Sequence, residues 1–149
     1  FEYVSLANWW FQPLTHPSKG RFVVDVIFSN AGKDSGIFET ANFFALFNVC
    51  ECGSHIVASS AIYGGTFNLI EVTMKKMGIT ATFVAPDCTE EELNAAFRDN
   101  TRVVFGETIA NPALTVLDIE KFAKAAHAHG VPLIVDNTFP TPVNCNPFK

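Results

Sequence analysis

The chain has 149 residues, of which 48% are hydrophobic and 17% charged, and its formal net charge is −5. This length suffices for one domain with a hydrophobic core, and the composition is that of a globular protein rather than a disordered one. The acidic balance argues against nucleic acid as a partner, and no apolar run approaches the ~20 residues that span a bilayer. We expect neither nucleic-acid binding, nor a membrane span, nor a signal peptide.

Residues 1–40 differ from the rest of the chain. The aromatic cluster Trp9-Trp10-Phe11 indicates either an oligomer contact or core, and residues 21–28 are predicted to form one strand. The run Asn30-Ala31-Gly32-Lys33-Asp34-Ser35 has some features of a phosphate-binding loop. It lacks the first glycine, however, and Asp34 stands where Ser or Thr should follow the lysine, so we expect a plain turn there.

From residue 41 onward, apolar periodicity alternates between the helical and the strand period. This pattern predicts an α/β domain with a mainly parallel sheet and helices on both faces. Helices are predicted at residues 41–49 and 66–77 and after the N-caps Thr89 and Asp118, with Gly78 and Gly130 ending two of them. Strands are predicted at residues 55–58, 80–85, 102–106 and 131–136. Three prolines after Asp136 predict that the chain then leaves regular structure.

The four cysteines do not follow a metal-binding or redox spacing. Cys50 and Cys52 have one residue between them, and Cys88 and Cys145 lie apart. We expect four free, reduced thiols and no metal site.

Asp136 is the strongest candidate for chemistry. It follows the apolar run Leu133-Ile134-Val135, which is typical of a strand buried on both faces, and strands of this kind deliver their last side chain to the ligand-binding edge of a parallel sheet. A carboxylate there is unfavourable unless it faces a cation or several hydrogen-bond donors, and a protonated pyridine nitrogen would be such a cation. A capping or loop aspartate without a ligand is the equally weighted alternative.

Two further motifs follow predicted strands. Tyr63 precedes Gly64 and Gly65, so its ring is placed to stack on a flat ligand, although a turn with a packed ring has the same pattern. Glu107 and Asn111 bracket a turn before Pro112. Asn can donate to a phenolate-like oxygen and Glu can tune a hydrogen-bond network, whereas the simpler interpretation of Asn111 is an Asx turn.

Together these motifs resemble the cystathionine γ-synthase family of fold-type I enzymes that use pyridoxal 5'-phosphate (PLP). The resemblance covers residues 41–149. Within the family, two further segments are most similar to the O-acetylhomoserine sulfhydrylases, namely Pro86-Asp87-Cys88-Thr89 and Leu117-Asp118-Ile119-Glu120-Lys121. The implied fold is part of a PLP-transferase large domain of the aspartate aminotransferase type, truncated here and preceded by a divergent segment at residues 1–40.

The resemblance also implies residue roles. Asp136 would pair with the pyridine nitrogen of PLP, which makes the ring an electron sink. Tyr63 would stack on one ring face and act as the catalytic residue that assists proton movement, while Thr138 would press on the other face. Asn111 would bond the 3-oxygen of the ring. Glu107 would support these residues without touching the cofactor.

The chain departs from the family pattern in several places. The Schiff-base lysine lies in a Ser-x-Thr-Lys word that this sequence does not reach, and Lys149 does not replace it. The substrate-binding arginine and the Tyr-x-Arg phosphate contact of a neighbouring subunit are also not found. Where the family has a Ser-Gly phosphate cradle before the first helix, this chain has Ile37-Phe38-Glu39, and Ser35-Gly36 lies two positions too early.

The implied activity of the longer parent is γ-replacement, in which O-acetylhomoserine and sulfide give homocysteine and acetate in the methionine pathway. The resemblance further implies a cytoplasmic homotetramer, built as a dimer of dimers. Cystathionine γ-synthase and methionine γ-lyase activities are the alternatives within the family. The alternative outside the family is a catalytically inert module that only packs into an oligomer. We expect these 149 residues alone to be inactive. A dinucleotide-binding domain is disfavoured because no strand precedes a Gly-x-Gly-x-x-Gly motif.

Overall fold

A computed structural model describes the backbone of residues 9–11, 23–28 and 35–147, and the side chains of residues 42–141 and 143–147. The suspected phosphate loop at residues 30–35 lies almost wholly outside these ranges. Six strands and five α-helices, one continued by a π-helical segment, are described. They are β1 (Trp9–Phe11), β2 (Val23–Phe28), α1 (Ser35–Val49), β3 (His55–Ser59), α2 (Gly64–Asn68) with the π-helix Leu69–Met74, β4 (Thr80–Val84), α3 (Glu90–Ala95), β5 (Thr101–Glu107), α4 (Ile119–Ala128), β6 (Leu133–Asp136) and α5 (Thr141–Asn144).

The strands form one sheet in the order β1-β2-β6-β5-β3-β4. All neighbouring pairs are parallel except β1 and β2, which are antiparallel. The predicted mainly parallel α/β sheet is therefore confirmed. Within the described ranges, no helix has the length and apolar character needed to cross a membrane.

Helices cover both faces of the sheet, as predicted. One core cluster joins α1 and the π-helix to residues such as Ile56, Phe105 and Ile134. The other joins α3 and α4 to the opposite face through Leu133 and Val135. Because consecutive residues of β6 enter different clusters, this strand is buried on both faces, which the apolar run had predicted.

Two predicted helix starts are confirmed by their hydrogen bonds. The Thr89 hydroxyl accepts the N–H of Glu92 at 3.2 Å, and Glu92 Oε2 accepts the N–H of Thr89 at 2.9 Å, which completes a capping box. Asp118 Oδ1 accepts the N–H of Lys121 at 2.9 Å. Both helix starts could be predicted from the sequence, because a short polar side chain at the N-cap bonds N–H groups that have no partner within the helix.

Three element predictions were wrong in detail. Helix α1 begins at Ser35 rather than at residue 41, so Ile37-Phe38-Glu39 lies within the helix and Ser35-Gly36 forms its start. The helix predicted at residues 66–77 begins at Gly64 and changes to π-helix at Leu69, which an apolar period of 3.6 does not reveal. The proline-rich segment after β6 contains α5, because a proline in the first turn removes only an N–H that has no helical partner.

We predict that Gly78→Ala destabilises the protein more than Gly130→Ala. Both glycines have positive φ, at 79° and 71°, which disfavours a side chain by about 1 kcal/mol. At Gly78 a Cβ would also lie 2.6 Å from Cys52 Sγ, whereas nothing lies within 4 Å of one at Gly130. Because the Cys52 thiol is exposed and can rotate away in part, urea unfolding should show losses of about 1.5 and about 1 kcal/mol. In a Cys52→Ala background, the stability losses of the two glycine variants should become equal. Equal losses in the wild-type background would contradict the contact between the added Cβ and Cys52 Sγ.

Candidate functional site

The carboxyl ends of β3, β5 and β6 lie side by side, because these strands are neighbours and run parallel. Tyr63 follows β3, Glu107 ends β5 with Asn111 four residues beyond, and Asp136 ends β6. Glu107 and Asp136 are register partners. The site residues proposed from the sequence therefore meet at the one edge where open α/β sheets bind ligands.

Asp136 is 7% exposed and its carboxylate accepts hydrogen bonds on both oxygens. Asn42 Nδ2 donates to Oδ2 at 3.0 Å. The backbone N–H of Thr138 donates to Oδ1 at 3.0 Å, and the Thr138 hydroxyl bonds the same oxygen. Burial raises the pKa of Asp136, and the bonds from Thr138 and Asn42 oppose that rise because they favour the charged form.

Asn42 is a site residue that the sequence did not single out. It lies on α1, is 1% exposed, and its Nδ2 also donates to Thr66 Oγ1 at 3.1 Å, so it joins α1, α2 and β6. Its Oδ1 is buried without a hydrogen-bond partner among the described residues. One signal was available: Asn42 is an amide within a run of Ala and Phe on a helix, where a polar residue needs a reason.

Glu107 is 6% exposed and bonds the backbone at the start of α2. Its Oε1 accepts the N–H of Tyr63 at 2.8 Å. Burial raises the pKa of Glu107 to about 7, the N–H of Tyr63 opposes the rise, and the negative charge of Asp136 adds to it. Tyr63, Asn111 and Thr138 themselves are half-buried.

A second pair of polar residues, Thr108 and Asn137, lies near this edge of the sheet. Thr108 Oγ1 donates to Asn137 Oδ1 at 2.8 Å, and Asn137 Nδ2 donates to the carbonyl of Cys145 at 2.9 Å. Both residues are buried. These bonds fix the segment after β6 against the loop after β5, so the backbone around Asp136 is held from both sides.

The charges at the site fit a cationic ligand. The two ion pairs found among the described side chains, Lys75–Glu71 and Lys124–Glu90, do not involve Asp136. No group of three or more His, Cys, Asp or Glu residues in the described ranges is arranged to hold a metal ion. A buried carboxylate that accepts oriented hydrogen bonds is compatible with a positively charged ligand.

Comparison with known proteins agrees with this chemistry. The family model described as Cys/Met metabolism PLP-dependent enzyme matches residues 32–149. The chain belongs to this family. PLP is therefore the cofactor of the family, as the sequence predicted.

Two curated relatives show which enzymes of the family this chain is similar to. The O-acetyl-L-homoserine sulfhydrylase of Leptospira meyeri is 45% identical over 111 residues, which cover 74% of this chain and 25% of that protein. The homocysteine synthase of Schizosaccharomyces pombe is 47% identical over 100 residues, which cover 67% of this chain and 23% of that protein. The chain thus spans about a quarter of the length of these curated relatives.

A solved structure confirms the fold. A Campylobacter jejuni crystal structure, named as an O-acetylhomoserine (thiol)-lyase with N'-pyridoxyl-lysine-5'-monophosphate, superposes with a TM-score of 0.71 and 37% identity. The match covers 74% of this chain and 27% of that one. The predicted fold type, that of a PLP-dependent large domain, is confirmed over this part of the chain.

We predict that Asn42→Ala is far more damaging than Asn48→Ala on the same helix. Asn42 loses two buried hydrogen bonds and leaves a cavity beside Asp136, whereas Asn48 is exposed and bonds only the carbonyl of Phe44 at 2.9 Å. Urea unfolding should show a loss of about 2–3 kcal/mol for the first variant and under about 0.5 kcal/mol for the second. Equal losses would show that Asn42 is not holding Asp136.

We predict a pH-dependent effect of Glu107→Gln on stability. The pKa of Glu107 is about 7 in the folded protein and has a reference value of 4.5, so between these values the folded state keeps a proton that the unfolded chain releases. Glu107 therefore makes the free energy of unfolding fall as the pH rises through this window, by about 1.4 kcal/mol per unit of pKa shift.

The measurement is urea unfolding of the cofactor-free protein at several pH values from 4.5 to 8. Relative to wild type, the variant should become progressively more stable up to pH 7, and the difference should then stay constant. Stability curves that run parallel across this range would contradict the prediction.

Proposed function

We propose that the protein containing this chain catalyses a PLP-dependent γ-replacement, in which O-acetylhomoserine and sulfide give homocysteine and acetate. The observation that carries the proposal is the buried Asp136 carboxylate at the ligand-binding edge of the sheet, which accepts oriented donors and has no ion-pair partner among the described side chains. The names of the relatives support the choice of reaction, since two of them are a sulfhydrylase and a homocysteine synthase. The sequence predicted a PLP-binding domain at residues 41–149 after a divergent segment at residues 1–40; since α1 begins at Ser35 and the family model matches from residue 32, the proposal starts this domain at residue 32.

Asp136 is assigned to the pyridine nitrogen. When bound, PLP supplies an electron sink for charge that develops at the α-carbon of an amino acid substrate. That property requires a protonated ring nitrogen, and a carboxylate beside it favours the proton. A positively charged ring nitrogen beside Asp136 would lower the pKa of this carboxyl group and so oppose the effect of burial.

The other residues at the edge are assigned around the ring. Tyr63 provides an aromatic face for stacking and a hydroxyl that can pass a proton. Thr138, whose backbone N–H bonds the Asp136 carboxylate, is assigned to the other face of the ring. Asn111 is assigned to the 3-oxygen, because its side-chain amide can donate there. The covalent lysine is assigned to no residue of this chain.

The phosphate of the cofactor is assigned to the start of α1. Asn42 on this helix bonds Asp136, so the first half of α1 lies at the carboxyl edge of the sheet. Because α1 begins at Ser35, the free N–H groups of the helix start belong to Ser35, Gly36 and the residues that follow, and such groups attract a phosphate. A homo-oligomeric, cytoplasmic enzyme is part of the same proposal.

We predict that Asp136→Asn lowers the rate of homocysteine formation by roughly 1,000-fold, because a neutral amide does not hold the proton on the ring nitrogen. The matched control is Asp118→Asn, which removes the charge of an exposed helix cap and should leave the rate near that of wild type. Turnover is measured on the holoenzyme with O-acetylhomoserine and sulfide, and bound PLP by its visible absorbance. Wild-type turnover in Asp136→Asn would rule out the assignment.

The same assay separates the alternatives. Homocysteine formed with sulfide supports the sulfhydrylase, whereas cystathionine formed with cysteine, or elimination without a sulfur nucleophile, identifies a synthase or a lyase instead. A full-length protein that binds no PLP would leave only the packing role of an inert module.

A further inference from the structure

The side chain of Asn42 gives both N–H groups of its amide to partners on other elements. Nδ2 donates to Asp136 Oδ2 on β6 at 3.0 Å and to Thr66 Oγ1 on α2 at 3.1 Å. An amide nitrogen carries two hydrogens, so neither is left without an acceptor. Turning the amide around would place Oδ1 against the Asp136 carboxylate, and two acceptors would then face each other. The two partners therefore fix the orientation of this side chain.

The other atom of the same amide is left unpaired. Asn42 is 1% exposed, and its Oδ1 has no hydrogen-bond partner among the described residues. On the same helix, Ala45 and Leu46 belong to the apolar core, and Phe43 packs against it. An apolar side chain at position 42 would avoid the unpaired oxygen. What the amide adds at this position is its donors, and one of them reaches the carboxylate of the site.

The hydrogen bonds to Asp136 are unevenly divided between its two oxygens. Oδ1 accepts the backbone N–H of Thr138 at 3.0 Å and also the hydroxyl of the same residue. Among the described side chains, Asn42 alone donates to Oδ2. A carboxylate has roughly two acceptor sites on each oxygen, so the site that remains lies on Oδ2. A further donor, such as a protonated ring nitrogen, would therefore meet the oxygen that Asn42 bonds.

We propose that Asn42 is a positioning residue that holds the Asp136 carboxylate in its charged form, with one acceptor site of Oδ2 directed to the protonated ring nitrogen of the cofactor. The inference rests on the proposed function, which assigns Asp136 to that nitrogen. Asn42 acts through Asp136 and is not assigned to contact the cofactor. A donor to the carboxylate favours its charged form, whereas burial opposes that form.

The test variant is Asn42→Leu, because leucine has the same branching as asparagine and no polar atom. Its matched control is Thr101→Val, which also removes buried hydrogen bonds. Thr101 Oγ1 is bonded to His55 Nδ1 and accepts the backbone N–H of Arg98, both at 2.8 Å. Thr101 begins β5, whereas the site lies where β5 ends, so this control lowers stability at the opposite edge of the sheet.

Two quantities are measured on the full-length protein. In the cofactor-free form, the Asp136 carboxyl group is titrated by ¹³C NMR, with Asp136→Asn used to assign its signal. Its pKa should be higher in Asn42→Leu than in wild type, because the charged form has lost a donor. In the holoenzyme, ¹⁵N-labelled PLP reports the protonation of the ring nitrogen. The acid dissociation constant of that nitrogen should be about tenfold larger in Asn42→Leu, since a hydrogen bond to a charged group contributes at least this much. Thr101→Val should match wild type in both quantities.

An unchanged titration of Asp136 in Asn42→Leu overturns the inference, and so does a shift of equal size in Thr101→Val. A changed Asp136 with an unchanged ring nitrogen also overturns it, because Asn42 would then have only a structural role. If Asn42→Leu does not fold, Asn42→Ala replaces it; the same directions are expected with a smaller size, because a water molecule can then donate to Oδ2. A wild-type protein that fails to bind PLP refutes the proposed function, while the cofactor-free titration still shows whether Asn42 favours the charged form of Asp136.

Discussion

The site depends on one buried carboxylate at the end of a buried strand. Asp136 is unfavourable where it lies, since burial raises its pKa and opposes its charge. Hydrogen bonds from Asn42 on α1 and from the backbone N–H of Thr138 offset the cost of burying this carboxylate. In the proposed function, a positive charge on a bound ring completes this arrangement, and Asp136 is assigned to the cofactor for that reason.

The parallel sheet explains why these residues meet. Each strand ends at the same edge, so side chains separated by tens of residues in sequence, such as Tyr63, Glu107 and Asp136, become neighbours. The two acidic groups are register partners, and they accept bonds from different elements, Asp136 from α1 and Glu107 from the start of α2. Bonds within the protein thereby order these polar groups, which reduces the entropy that ligand binding must overcome.

The site is supported from behind by residues with no assigned part in the chemistry. Thr108, Asn137 and the carbonyl of Cys145 form a buried chain of hydrogen bonds. Buried polar groups of this kind hold a backbone in a single arrangement when each is satisfied. Among the described side chains near the edge, Oδ1 of Asn42 is an exception, and the amide nitrogen of the same side chain bonds Asp136.

The sequence by itself determined the fold class, the caps at Thr89 and Asp118, the burial of β6 and the family. The first three follow from local rules, in which apolar period and capping chemistry act over a few residues, whereas the family was recognised from the resemblance of its strand-end motifs. Only the tertiary structure decided that Asn42 bonds Asp136 and that Glu107 bonds the backbone of Tyr63. Both contacts join residues far apart in the chain, at 94 and 44 positions, and such partners are set by how strands and helices pack rather than by neighbours in sequence. The early start of α1 and the π-helix after α2 were missed for the same reason, since packing against the sheet can override local preference.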